Sequence, residues 1–307
     1  MFAVCGEALF DVFAVEPTPT GLLLDARIGG SPFNVAVGLA RLGQPAALVT
    51  QISEGFLGER LMQALELEGV DTRAVQRSSA PTTLSLVGLD ARGVPSYSFY
   101  GEGAADRLLS SEVADLIPSQ VRALHVGSYA TVVGRTAQTQ RELIEHHHAH
   151  RVISYDPNIR LNVEPDVDVW RAQIEWMLPR THLLKISDED LALVHPGLAP
   201  QDFAHEALRQ GVSVVVVTRG ERGVLAWTPQ HTMALPPVVV SVVDTVGAGD
   251  TFQAALLTSL TEQGLMSIPA LQTLSAGVLE QALQFAARAA AITCSRRGAD
   301  LPRRSEI

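Results

Sequence analysis

Six short apolar runs recur along the chain, at residues 2–5, 46–51, 123–127, 152–155, 182–185 and 212–218, with stretches of helical spacing between most of them. Many of the runs lack polar alternation, and Val214-Val215-Val216-Val217 is the extreme case. A strand with one wet face alternates polar with apolar residues, whereas an unalternating run suits a strand buried on both faces. Helices are predicted at 34–42, 57–67, 136–146, 167–177 and 200–210, and Ala- and Leu-rich helices at about 250–263 and 269–292. Doubly buried strands alternating with helices require a mostly parallel sheet covered on both sides, a three-layer α/β/α fold.

Two segments break this rhythm. Residues 8–26 are extended and contain Pro17, Pro19 and Gly21. Residues 83–101 read as a hairpin with its turn at Asp90-Ala91-Arg92-Gly93. These strands do alternate, so each should keep one face exposed. The expectation is a small projecting β-sheet, a lid over a site or a surface for a partner, inserted into a single domain spanning 1–307.

The composition narrows the function. Hydrophobic residues at 47% supply a large core, and the net charge of −10 argues against nonspecific nucleic-acid or anionic-membrane binding. Two cysteines, Cys5 and Cys294, make neither a disulfide scaffold nor a zinc site. No basic leader and no long uncharged apolar run is visible, so the expectation is a cytoplasmic protein. The chain has a single lysine, Lys185, and no Gly-x4-Gly-Lys-Ser/Thr string surrounds it. The run His146-His147-His148-Ala149-His150 reads as a solvated helix end, because adjacent helical residues point in different directions and make a poor metal cage.

The sharpest string is Asp244-Thr245-Val246-Gly247-Ala248-Gly249-Asp250-Thr251-Phe252, placed between an expected strand at 238–243 and a helix. Small residues leave the backbone N–H groups of a helix N-terminus uncovered, which forms an anion hole. A dinucleotide fingerprint would need glycine where Phe252 stands, and Asp250 would repel a resting pyrophosphate. A carboxylate base beside an anion hole fits phosphoryl transfer to an alcohol. A plain glycine turn with Asp250 as an ordinary helix-start residue is the alternative.

This string resembles the C-terminal signature of the ribokinase-like (PfkB) carbohydrate kinases. Gly29-Gly30-Ser31-Pro32-Phe33-Asn34-Val35-Ala36 is similar to the N-terminal signature of the same family. Gly6-Glu7-Ala8-Leu9-Phe10-Asp11 and Asp156-Pro157-Asn158-Ile159-Arg160 resemble its bacterial fructokinase and 2-keto-3-deoxygluconate kinase branch, and Tyr100 to Arg107 looks most like fructokinases. The resemblance covers about residues 3 to 300.

It implies a ribokinase-like fold and an ATP- and Mg²⁺-dependent sugar kinase. Asp250 would be the base, with Gly247, Ala248 and Gly249 as the anion hole. Asp11, Gly29, Gly30 and Asn34 would hold the sugar, with Arg160 approaching the sugar or phosphate. Asn34 could equally cap a helix, Asp11 could lie on the surface, and Arg160 could be structural. Thr218, Gly220 and Gly223 would face ATP, although the stretch also reads as a strand ending in a glycine turn. Where many members carry Asn-x-x-Glu, this chain has Ser187 and, in register, Asp190, with Glu189 as the competing acid near magnesium. Lys185 would serve the phosphate side or simply end a strand. K⁺ would bind Asp244 with backbone carbonyls of Val246 and of the loop 293–300.

Tyr97 and Phe99 share one face of a strand without a cation, an aromatic wall that suits a neutral ketohexose such as fructose rather than an acid sugar. The competing readings are 2-keto-3-deoxygluconate kinase or another sugar or nucleoside kinase of the family, a sugar-binding pseudokinase, and a nicotinamide dehydrogenase. Similar kinases often dimerise through the lid, so a homodimer is expected.

Overall fold

A computed structural model of the chain describes residues 1–89 and 95–307. The turn expected at 90–93 lies outside the described residues, and so does the side chain of Tyr97.

The main sheet has nine strands. In chain order they are β1 (Phe2–Cys5), β4 (Ala46–Ser53), β5 (Val75–Ser78), β8 (Ala123–Gly127), β9 (Val152–Asp156), β10 (Leu183–Ser187), β11 (Val214–Thr218), β12 (Val224–Trp227) and β13 (Thr232–Leu235). Their spatial order is β13-β12-β11-β10-β9-β8-β1-β4-β5. All pairings from β11 to β5 are parallel, while β12 and β13 run antiparallel at one edge.

Alternate residues of the buried strands feed two separate cores. Phe2, Val4, Leu48, Val214 and Val216 pack with helices α1 (Ser31–Arg41), α2 (Phe56–Leu67), α7 (Ala248–Glu262), α8 (Ile268–Gln272) and α9 (Ala276–Cys294). Ala3, Cys5, Val49, Val215 and Val217 pack with α3 (Gly134–His147), α4 (Val167–Met177), α5 (Asp188–Val194) and α6 (Pro200–Arg209). The unalternating runs are therefore strands read by a core on each side, and the three-layer expectation holds. On the first side α1 lies against α7, where Gly38 faces Ala254 and Leu301, and Arg41 donates to the Leu301 carbonyl at 2.6 Å. Among the described residues no helix is long and apolar enough to cross a membrane.

The small sheet is built from β2 (Leu9–Thr18), β3 (Gly21–Gly29), β6 (Leu84–Leu89) and β7 (Pro95–Tyr100), in the order β3-β2-β6-β7. Its register aligns Arg27, Asp11, Ser85 and Phe99 in one row, so these four side chains share a face. Phe10 and Val12, on the opposite face, reach the main core.

Three expectations needed correction. Residues 238–243 are not a strand: Pro236 and Pro237 remove two ladder donors after β13, and the run lies in solvent with Val239 95% exposed. The helix at 269–292 is two helices, because residues 273–275 break it and Ser275 caps α9 by accepting the Val278 N–H. The histidine run is only partly solvated. His147 is buried, with its pKa pushed down to about 4 by burial and then by Arg151, and its ring packs edge-on against His146 and His150.

Trp170 on α4 is fully buried, and its indole N–H donates to the Glu164 carbonyl at 2.9 Å. Replacing it with alanine removes that bond and opens a large cavity. Trp170→Ala should cost about 3–5 kcal/mol in urea unfolding; a loss below about 1 kcal/mol would contradict this packing.

Candidate active site

Two helix N-termini meet above the carboxyl ends of the parallel strands, the edge where open α/β sheets leave a crevice. Helix α1 starts after Gly30, whose φ is 105°, and α7 starts after Gly247, whose φ is 77°. Both angles favour glycine. At Gly30 a Cβ would also lie 2.7 Å from the Glu7 carbonyl oxygen. Asp250 is the third residue of α7 and is buried. The Ser31 hydroxyl donates to Asp250 Oδ1 at 2.6 Å, and Asn34 Nδ2 donates to Oδ2 at 2.8 Å. Burial pushes the Asp250 carboxyl up, while these two donors and Lys185 pull it back. The Ala248 N–H turns back to the Thr245 carbonyl at 3.2 Å. The N–H groups of Gly249 and Asp250 stand in the first turn, where the helix offers no acceptor.

Lys185 lies beneath this turn. Its Nζ is 2.6 Å from Asp156 Oδ2, and both side chains are buried. A Cβ on Gly249 would sit 3.1 Å from the same Nζ. Among the described residues, Asp156 Oδ1 finds no hydrogen-bond partner. Ser187 caps α5 by accepting the Asp190 N–H at 2.9 Å, which turns Asp190 inward and leaves Glu189 in solvent. Asp190 Oδ1 accepts the Ile159 N–H at 3.2 Å, and burial followed by the charge of Asp156 pushes its pKa up to about 6. Thr218 pairs with Ser187 across β10 and β11. Gly220 and Gly223 form the tight turn after it, closed by Arg219 N–H donating to the Gly223 carbonyl at 2.9 Å. Asp244 accepts from Val246 N–H at 3.1 Å and Gly298 N–H at 2.8 Å, which ties the 244–250 turn to the loop 293–300. Among the described residues no three His, Cys, Asp or Glu side chains converge as a metal cluster.

Toward the small sheet, the Asp11 carboxylate lies over Gly29, where a Cβ would be 2.3 Å away. Asn158 takes a φ of 41°, and the Arg160 side chain that follows folds onto the Ile159 carbonyl at 2.9 Å. The positive charge of Arg160 draws Asp11, Glu7 and Asp190 downward, against burial. Phe99 meets Tyr129 edge-on at 5.3 Å, and the Arg107 guanidinium lies 5.4 Å from one ring centre and 5.5 Å from the other.

The structure thus brings Asp11, Gly29, Gly30, Asn34 and Asp250 to one place, with Lys185 and Asp190 adjoining. Thr218, Gly220 and Gly223 follow the neighbouring strand, and Asp244 and Val246 stand at the rim. Sequence reasoning missed Ser31, Glu7 and the polar floor behind Asp250. Glu7 is a buried acid in an otherwise apolar stretch, a signal that was readable. Its Oε1 accepts the Ser31 N–H at 3.3 Å, and burial pushes its pKa up to about 8. The floor is Gln253, which donates to Ser154 Oγ at 2.8 Å, and His125, 3.1 Å from the same oxygen. Gln253 is three residues beyond Asp250 and so shares its helix face.

A model of the pfkB family of carbohydrate kinases matches residues 3–306. A fructokinase of Rhizobium leguminosarum bv. trifolii is 34% identical over 267 residues, 87% of this chain and 82% of the relative. Fructokinase-2 of Solanum lycopersicum is 30% identical over 316 residues, covering 98% and 93% of the two chains. The crystal structure of a fructokinase from Xylella fastidiosa with bound ATP superposes with a TM-score of 0.88 at 30% identity, over 99% of this chain and 96% of that one. The matches run the length of the chain, through both glycine-led helix starts and the carboxylate between them, and the protein therefore belongs to the pfkB family of carbohydrate kinases, sugar phosphotransferases.

Proposed function

We propose that the protein transfers the γ-phosphoryl group of ATP to a primary hydroxyl of a neutral ketohexose, fructose becoming fructose 6-phosphate. The observation that carries this reading is the Asp250 carboxylate, buried and gripped at both oxygens beside the open N–H groups of α7. The sugar oxygen attacks the γ-phosphorus, the bond to ADP breaks, and the hydroxyl proton passes to Asp250. The N–H groups of Gly249 and Asp250 and the positive end of α7 stabilise charge on the phosphoryl oxygens, with Gly247 and Ala248 shaping the turn. Lys185 adds a positive charge below that turn. Asp11, Gly29, Gly30 and the side-chain carbonyl of Asn34 hold the sugar, with Phe99 and Arg160 around it. Thr218, Gly220, Gly223 and Ser187 line the nucleotide side.

The donor set suits a cation with ATP. Asp156 has an unpartnered buried oxygen, and Asp190 carries a burial-raised pKa that a nearby positive charge relieves. Magnesium brought by ATP would supply charge neutralisation there. Potassium at Asp244 and the carbonyls of Val246 and the loop 293–300 would steady the turn. Two free cysteines suit a reducing compartment, so the reading places the enzyme in the cytoplasm.

Fructose is favoured by the named relatives and by electrostatics. Burial already pushes the carboxyls of Glu7, Asp11, Asp106, Asp190 and Asp250 upward, so the region resists further negative charge. Arg107 draws Asp106 downward and Arg160 draws Asp11 and Glu7 downward, against that burial. An acid sugar would bring one more carboxylate to compete for these two arginines.

Asp250→Asn should lower kcat at least about 100-fold in a protein that still folds and binds sugar; a near-normal kcat removes Asp250 as base. Wild-type protein that binds ATP and sugar together without releasing ADP would instead be a non-catalytic sugar binder.

The kcat/KM for fructose should exceed that for 2-keto-3-deoxygluconate at least about tenfold, since a further carboxylate among these buried acids should cost more than about 1.4 kcal/mol. Equal or reversed values in a side-by-side assay would move the assignment to the acid sugar.

The reading includes a homodimer through the small sheet. Val15 on β2 and Leu22, Leu23 and Leu24 on β3 are 54, 51, 49 and 46% exposed, and apolar side chains on projecting strands call for cover. Light scattering at micromolar concentration should give twice the 32.9 kDa chain mass; a monomer mass would end the idea.

A further inference from the structure

We infer that Ser31 is a positioning residue for the transfer, holding Asp250 in place and ionised through its hydroxyl. This rests on the reading of Asp250 as the base. Ser31 is the first residue of α1, and Asp250 the third of α7. Their side chains meet at 2.6 Å, with residue exposures of 8% and 7%. Such a short bond to a carboxylate in a dry place is among the stronger kinds of hydrogen bond.

The serine is itself held from behind. Its N–H donates to Glu7 Oε1 at 3.3 Å, and the Glu7 carbonyl packs against Gly30 just before it. Glu7 therefore acts as a distant cap for a helix that has no side-chain cap of its own. The order of support is Glu7, Ser31, Asp250. Each carboxylate oxygen has two lone pairs, so Oδ1 can accept from Ser31 and still take up a proton from the sugar.

A hydroxyl that donates to the ionised acid favours that form and lowers its pKa. Without it, Asp250 keeps only the Asn34 donor. The other charged groups facing Asp250 are Lys185 from β10, Asp156 from β9 and Asp11 from β2, and Ser31→Ala alters none of them. The loss should therefore read out as a shift in one titration.

The test is kcat/KM for fructose against pH, at saturating ATP and magnesium, for wild type, Ser31→Ala, Ser31→Thr and Asp250→Asn. Fructose does not titrate in the range, and the titration of ATP is common to all four proteins. For Ser31→Ala the acid-side midpoint should rise by about one pH unit, with the plateau above it within a few-fold of wild type. Ser31→Thr, which keeps a hydroxyl, should return the midpoint toward wild type. Should Ser31→Ala fail to fold, Ser31→Cys carries the test, because a thiol of similar size is a weak donor and should shift the midpoint the same way. An unmoved midpoint with Asp250→Asn inactive overturns the role of Ser31 alone. A loss that is equal at every pH overturns it too, since that is what a purely structural serine would give. An active Asp250→Asn overturns the base assignment, and the inference about Ser31 falls with it.

Discussion

One buried carboxylate accepting hydrogen bonds from another helix is the contact on which the site depends. The N-termini of α1 and α7 point toward the same small volume, and each presents uncapped N–H groups and the positive end of its dipole. Bringing two such ends together without a negative group between them would be unfavourable. Asp250 supplies that group from α7, and Ser31 and Asn34 bind it from α1. The turns at Gly30 and Gly247 can then be read as the backbone shapes that let both helices start at this point.

Charge is sorted around that contact. On the side of β9 and β10, a buried lysine pairs with Asp156 beneath the start of α7. On the side of the small sheet, burial pushes the carboxyls of Glu7 and Asp106 upward, and the charges of Arg160 and Arg107 draw them back. On the proposed reading, a polyanionic ligand would be received at one end and a neutral one at the other. The net charge of −10 says little about this arrangement, because a local field is set by a handful of desolvated groups.

The layers and most strands were legible in the sequence because doubly buried parallel strands carry an unbroken apolar signal. The two short glycine motifs were legible because helix starts that bind anions tolerate few residue types. The edge strands β12 and β13 and the seven-residue helix α5 were not, since elements so short carry no measurable period. The run at 238–243 misled by composition: its valines have strand propensity, but the prolines before it break the ladder and most of the run lies in solvent. Asn34 and Asp250 were each visible as polar residues in motifs, yet their bond joins residues 216 positions apart, and no local pattern reports such a contact. Ser31 was hidden for the same reason, as an unremarked serine between two more conspicuous residues.

The packing of α1 on α7 and of Leu301 on α1 bears on how the chain acquires its shape during synthesis. Helix α1 is complete by Arg41, but the surface it buries is supplied by residues 248–262 and by Leu301, near the end of the chain. On the ribosome, the face of α1 turned away from the sheet must wait bare until residues 248–301 emerge. Non-local closure of this kind slows folding and exposes sticky surface while it is pending. The nascent protein should thus be a client for holding chaperones over most of its translation, and a chain stopped before residue 248 should leave α1 with an uncovered flank rather than form a smaller working enzyme.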